Sequence, residues 1–304
     1  MTVYSNSRLS CFEKCPLQYR YRYIDRIRRD TQGIEAFLGN RVHEAIEHLY
    51  HVLKEGRRPR TAEIVGVYHR KWEENYDRNK IAIVRRGLCA ADYRKAGEEY
   101  VRGYCDRRRP EEDGETLGLE DEFQLALDPA GRYQIRGFID RLARVADGVY
   151  AIHDYKTSAW LPRDEELLRD RQLTFYQMSV SDRYPDAKEI RLVWHYLAHG
   201  KRLESRRSEA DIASHRKAAM RLIDAIEAAR EHPARESALC RWCEYRDICP
   251  AQKHQVAWER QAAERRRKDE AERRLMAGER PAGRAEQLSL MPASPAARPR
   301  PPAG

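Results

Sequence analysis

The chain has 304 residues, 41% hydrophobic and 35% charged, enough for one large domain or two modest ones. No apolar run approaches the roughly 20 residues of a membrane span, and the opening MTVYSNSRLSCFEKC has no apolar signal segment, so a cytoplasmic protein without a membrane partner is expected. The formal charge of +9 admits a polyanionic partner without identifying one; residues 255–304 hold 11 Lys/Arg against 7 Asp/Glu, and the other 254 residues carry +5.

The aromatic-rich N-terminal segment SRLSCFEKCPLQYRYRYI reads as a short helix broken near Pro16. In LGNRVHEAIEHLYHVL, Val42, Ile46, Leu49 and Leu53 recur at helical spacing, with Gly39 just before them, which predicts an amphipathic helix. Residues 60–108 read as further charged, Tyr-rich helices, and RRRPEEDGETLG as a surface loop.

The period then changes from helical to two. DEFQLAL, YQIRGFIDRLARV, VYAIHDYKT and IRLVWHYLA alternate like strands and are separated by the turn signals DPAG and ADG. EELLRDRQLTFYQMSVSDRY, between the third and fourth strands, reads as a helix, giving the strand–helix–strand order of a mixed α/β sheet. A further helix, ASHRKAAMRLIDAIEAARE, precedes CRWCEYRDICP. From about residue 255 the chain reads as a solvated helix and then a Pro/Ala/Arg-rich disordered tail.

The strand IHDYKTS raises a chemical question. Residues two apart on a strand share a face, so Ile152, Asp154 and Lys156 point the same way. Asp140 follows the apolar run IRGFI in the preceding strand, and the ADG turn brings it beside Asp154 near one end of the sheet. Two adjacent carboxylates are costly to bury unless a cation neutralises them, and hard divalent ions take such oxygens. A surface ion pair between Asp154 and Lys156, worth about 0–1 kcal/mol, is the alternative reading.

GFIDRL followed by HDYKT resembles the core of the PD-(D/E)XK nucleases, with Asp140 as the first acidic residue and Asp154-Tyr155-Lys156 as D-x-K; Ile139 stands where many members have proline. QLTFY, with Gln172 and Tyr176 one helical turn apart, resembles the Q-x-x-x-Y element of the RecB-like and Cas4-like branch. LGNRVHEAIE resembles that branch's metal-ligand helix. The resemblance implies that His43, Asp140 and Asp154 hold Mg²⁺ or Mn²⁺ with the Tyr155 carbonyl as a further ligand, and that Glu47 supports His43. It also implies that Lys156 stabilises charge or positions water, with Gln172 and Tyr176 orienting Lys156 or the DNA.

Seven cysteines in a reducing compartment point to metal binding or scattered thiols. Cys240, Cys243 and Cys249 form C-x2-C-x5-C, three ligands of a four-thiolate site. The stretch around Cys15 resembles the opening of iron–sulfur members of the branch, which implies a [4Fe–4S] cluster on Cys15, Cys240, Cys243 and Cys249. Zinc is the alternative and Cys11 a substitute ligand; Cys89 and Cys105 read as ordinary thiols. In the tail, Gln287, Leu288, Leu290 and Met291 of EQLSLMP resemble the peptide that binds the bacterial sliding clamp.

The expectation is therefore an α/β, restriction-endonuclease-like mixed β-sheet core flanked by helices. The nuclease domain would span residues 1–254, with a helical insertion at about 57–110 and an iron–sulfur-stapled segment at 237–252. Residues 255–304 would form the charged helix and tail. By resemblance the function is metal-dependent exonucleolytic hydrolysis of DNA, with single-stranded ends as substrate, in repair or recombination. A Cas4-type role in CRISPR spacer acquisition and a non-catalytic DNA-binding adaptor are the alternatives.

Overall fold

The computed structural model describes residues 2–107 and 114–276, and the chain divides into two units, residues 1–251 and 252–304. The first begins with β1 (Val3–Tyr4), α1 (Asn6–Lys14) and α2 (Pro16–Tyr19). The Ser5 hydroxyl caps α1 by accepting the Arg8 amide, and Pro16 opens α2 at its first position, where its missing N–H costs nothing.

Next come β2 (Gln32–Gly33), α3 (Ile34–Lys54), α4 (Thr61–Asn75), β3 (Ile81–Ala82) and α5 (Ala90–Arg107). The helix expected from residue 40 starts at Ile34, so Gly39 lies inside it rather than before it. Its value there is close approach: a Cβ on Gly39 would stand 3.2 Å from the Thr157 hydroxyl oxygen, at the end of the strand that carries Lys156. Ile34, Phe37, Leu38, Val42, Ile46, Leu49 and Tyr50 form the buried stripe of α3, packing with Ile64 and Tyr68 of α4 and Val101 and Tyr104 of α5. Each large apolar side chain so buried contributes about 1.5–3 kcal/mol.

β4 (Glu115–Ala126), β5 (Gln134–Ala146), β6 (Val149–Lys156), β7 (Glu189–Tyr196) and β8 (Lys201–Ser205) join β1 in a six-stranded mixed sheet. β5 is antiparallel to both β4 and β6, β6 is parallel to β7, and β8 closes antiparallel on β7. β1 runs parallel to the start of β5. The parallel β6–β7 pair requires a crossover, which α6 (Asp164–Leu168) and α7 (Arg171–Arg183) supply. These two replace the single helix expected there. Asp170 makes the break by capping α7: its side chain accepts the Leu173 amide.

β6 is buried on both faces, so Tyr150 and Ile152 join one apolar cluster and Tyr155 the other. The first cluster takes in residues of α1, α7 and α8 (Glu209–Ala228); the second is built on α3, α4 and α5. In the second unit the described structure is α9 (Lys253–Met276), rich in exposed charge. Gln287, Leu288, Leu290 and Met291 lie outside the described residues.

Candidate metal centre and catalytic strand

Asp140 lies in the middle of β5 rather than at its end. The β5–β6 ladder ends at the pair Arg141–His153, and one step further the same register sets Asp140 opposite Asp154. There the strands stop pairing, and Asp140 Oδ2 takes the Tyr155 amide N–H at 2.9 Å. On the other side of β5, the pairs Leu119–Arg141 and Asp121–Ile139 bracket Glu120 opposite Asp140. The register thus aligns three carboxylates, Glu120, Asp140 and Asp154, across three adjacent strands.

Glu120 has φ +43, in the left-handed region that an L side chain enters at a cost of about 1–3 kcal/mol. Such strain persists where surrounding structure enforces it, and here it accompanies a carboxylate turned toward a charged cluster. Burial first, then the charges of Glu47 and Asp154, push its pKa up against the opposing pull of His43. Sequence reasoning passed over Glu120 because it is one of three consecutive acidic residues, and nothing in LEDE marks one of them as special.

His43 comes from α3. Its Nε2–H donates to the Tyr155 carbonyl at 2.5 Å, which turns Nδ1 toward Asp140 Oδ2 at 3.6 Å and Glu120 Oε1 at 4.0 Å. A ligating histidine characteristically fixes its ring by donating its second N–H to a carbonyl or carboxylate. In this arrangement the Tyr155 carbonyl orients His43. Among the described residues, His43, Glu120 and Asp140 offer three ligand atoms within 4.8 Å of one another. One nitrogen and two carboxylate oxygens suit a divalent cation of the Mg²⁺ or Mn²⁺ type. Burial, reinforced by the Asp154 charge, pushes the Asp140 carboxyl up to about 7. Carboxylates gathered this closely are held apart from their ordinary ionisation until a cation neutralises them.

Asp154 is turned to a different partner. Its Oδ2 lies 2.7 Å from the Lys156 ammonium, with the Asp154 side chain only 2% exposed. Lys156 also donates to Gln172 Oε1 at 3.4 Å, and Gln172 Nε2 donates to the Tyr176 hydroxyl at 2.6 Å. Burial is the largest single influence and opposes the Lys156 charge, but Asp154, joined by Asp170 and Asp140, outweighs it and the net shift is upward. Tyr176 packs edge-on against Phe123, and burial holds its phenol protonated well above the usual range. The structure therefore brings together His43, Asp140, Asp154, Tyr155, Lys156, Gln172 and Tyr176, and adds Glu120. His43, Asp140, Asp154, Tyr155, Lys156 and Gln172 line a cavity of about 760 Å³ that continues along Glu35, Leu88, Tyr93 and Tyr100.

α7 is anchored just before Gln172. Arg171 donates to Asn6 Oδ1 at 3.1 Å, Ser10 Oγ at 3.2 Å and both Glu13 carboxylate oxygens at 3.2 and 3.0 Å, all on α1.

The cysteine segments also meet. Cys15 caps the end of α1, and its sulfur accepts the Arg235 amide at 3.4 Å. The segment carrying Cys240, Cys243 and Cys249 returns to the N-terminal helices through Gln18–Glu244, Arg29–Asp247 and the Tyr245 hydroxyl on the Ile27 carbonyl. Burial pushes the Cys243 thiol up to about 11, with Cys15 and Cys249 among the neighbouring charges. Among the described residues, no three of these sulfurs lie within 4.8 Å of one another. Cys11 is buried, Cys89 exposed and Cys105 half-buried.

A mixed sheet with the D-x-K strand at its centre and a histidine-bearing helix against that strand's end has the restriction-endonuclease-like architecture. The chain matches the PD-(D/E)XK nuclease superfamily over residues 3–250, and it belongs to that superfamily. Two solved structures are similar. SSO0001 shares 22% identity at a TM-score of 0.30; the match covers 44% of this chain and 60%, less than two thirds, of that one. A candidate exonuclease from Eubacterium rectale shares 12% identity at a TM-score of 0.47, over 83% of this chain and 87% of that one. No curated protein sequence matches significantly. No described helix is long and apolar enough to cross a membrane.

Proposed function

We propose that the protein is a divalent-metal-dependent DNA exonuclease acting on single-stranded ends. The observation that carries this reading is the Asp140 carboxylate, which faces His43 Nδ1 at 3.6 Å on the row it shares with Glu120 and with Asp154 of the Asp154–Lys156 ion pair. His43, Glu120 and Asp140 would hold Mg²⁺ or Mn²⁺, with Asp154 at the edge of the site. A bound divalent ion supplies a water of lowered pKa and neutralises charge on a phosphate.

The protein's own groups do the rest. Lys156, an ammonium with three N–H donors, would stabilise charge developing on a phosphate oxygen. Asp154 and Gln172 fix its head from two sides, and Tyr176 fixes Gln172. The Tyr155 carbonyl keeps the imidazole turned so that Nδ1 faces the carboxylates. End-labelled single-stranded DNA incubated with Mn²⁺ tests the reading: mononucleotide release from one end supports it, and internal cuts would show an endonuclease instead.

Cys15, Cys240, Cys243 and Cys249 are proposed to hold a [4Fe–4S] cluster that staples the N-terminal helices to the end of the first unit. Iron and labile sulfide after anaerobic purification test this; stoichiometric zinc without sulfide would refute it. Gln287, Leu288, Leu290 and Met291 are proposed to dock on a sliding clamp, which a pull-down with a tail peptide tests.

A further inference from the structure

Trp160 is 59% exposed, leaving most of its indole available to a ligand. It sits four residues after Lys156, so the backbone between them spans at most about 14 Å. Ser158 and Ala159, immediately before it, line the cavity that holds Asp140, Asp154 and Lys156. The loop is fixed rather than loose: the Trp160 amide donates to the Ser158 hydroxyl at 3.0 Å, and the His199 imidazole donates to the Ala159 carbonyl at 3.0 Å. Two hydrogen bonds thus anchor the backbone at the edge of the candidate site, where the next residue presents its indole to solvent.

The cavity wall indicates what such a ring would meet. Away from Lys156, its cation is Arg85, which is already near Glu35 at 3.6 Å, and Asp92 adds negative charge. Phosphates are poorly served there. Leu88 and Tyr100 instead offer apolar surface over buried Leu38 and Tyr93, and Leu88 is 42% exposed. A polynucleotide fitting this wall would present base and sugar to it and its phosphate to Lys156. Aromatic rings serve as sequence-tolerant platforms for unpaired bases because every base has a π-face.

We propose that Trp160 is a nucleobase-stacking platform that holds the unpaired base next to the scissile phosphate. The inference rests on the nuclease reading of the neighbouring site. It assigns strand recognition at this point to the base face, so a paired or missing base is disfavoured.

The test compares the full-length parent, Trp160→Ala and Trp160→Tyr on single-stranded oligothymidylate and on an equally long oligomer of abasic residues. Trp160→Ala is expected to raise KM on oligothymidylate roughly 5- to 150-fold, the range typical of a lost base stack. The parent's preference for oligothymidylate over the abasic oligomer should collapse in Trp160→Ala and return in Trp160→Tyr. An unchanged preference in Trp160→Ala overturns the proposal, as does a Trp160→Tyr protein no better than Trp160→Ala. Should the parent cleave neither oligomer, the nuclease reading has failed separately. Binding of fluorescent oligothymidylate to Lys156→Ala and to Lys156→Ala/Trp160→Ala then decides: weaker binding by the double variant supports the platform, and equal affinity overturns it.

Discussion

Asp140 Oδ2 accepts the Tyr155 amide N–H at 2.9 Å, across the point where β5 and β6 cease to pair. One peptide unit further, the Tyr155 carbonyl takes the His43 imidazole N–H at 2.5 Å. The backbone of one residue in the D-x-K strand thus fixes both a carboxylate from the neighbouring strand and a histidine from α3. Tyr155 itself is buried among Tyr50, Tyr104 and His195, so this backbone is held rigidly from behind.

Lys156 is bracketed by Asp154 and Gln172. Lys156→Ala should lower kcat by about 10²- to 10³-fold, the usual cost of removing a preorganised stabiliser of transition-state charge. KM should change little. Single-turnover cleavage of labelled single-stranded DNA measures it.

Asp140 is raised from 3.8 to about 7 in the folded chain. Between those values the folded state keeps a proton that the unfolded state has lost, so metal-free stability falls as pH rises through this window. A divalent ion competes with that proton. The rise in Tm produced by Mn²⁺ should therefore be larger at pH 8 than at pH 5.5 and should be largely abolished in Asp140→Asn. Equal shifts at both pH values would contradict this.

Glu120 combines a left-handed backbone with a candidate ligand. Glu120→Gly removes both strain and charge. The metal-free variant should gain about 1 kcal/mol in denaturant unfolding. Its Mn²⁺ affinity, read by calorimetry, should fall by at least about tenfold.

Arg171 ties α7 to α1 through Asn6, Ser10 and Glu13. Arg171→Ala should lower kcat by roughly tenfold through misplacement of Gln172 against Lys156, because small displacements at a reacting centre are costly. The charge-swapped pair Arg171→Glu/Glu13→Arg should recover part of the loss, which a purely local effect of Arg171 would not allow.

The strands β5 to β7, the second half of β4 and the helices α3 and α7 were legible because their apolar residues recur at the strand and helix periods, whereas the first half of β4, Glu115–Gly118, was read as the end of a surface loop. So were the D-x-K strand and the Gln172–Tyr176 pair, each a local pattern within a few residues. Glu120 was not, since its role depends on register with β5 and on a backbone angle that acidic neighbours do not announce. The start of α3 was misplaced because Gly39 reads as a helix boundary when its neighbour Thr157 is unknown. β1 and β8 are short segments that take shape by pairing with β5 and β7. The shared strand face offered Asp154 two partners, a metal beside Asp140 and the Lys156 ammonium; which of them its carboxylate meets depends on side-chain geometry.

The central claim is that this cluster hydrolyses DNA, and cleavage of end-labelled single-stranded DNA in Mn²⁺ tests it most directly. The parent should degrade the strand, EDTA should stop it, and Asp140→Asn and Lys156→Ala should each lose at least about 10²-fold in rate. Intact DNA with the parent, or variants that cut as fast as the parent, would contradict the account.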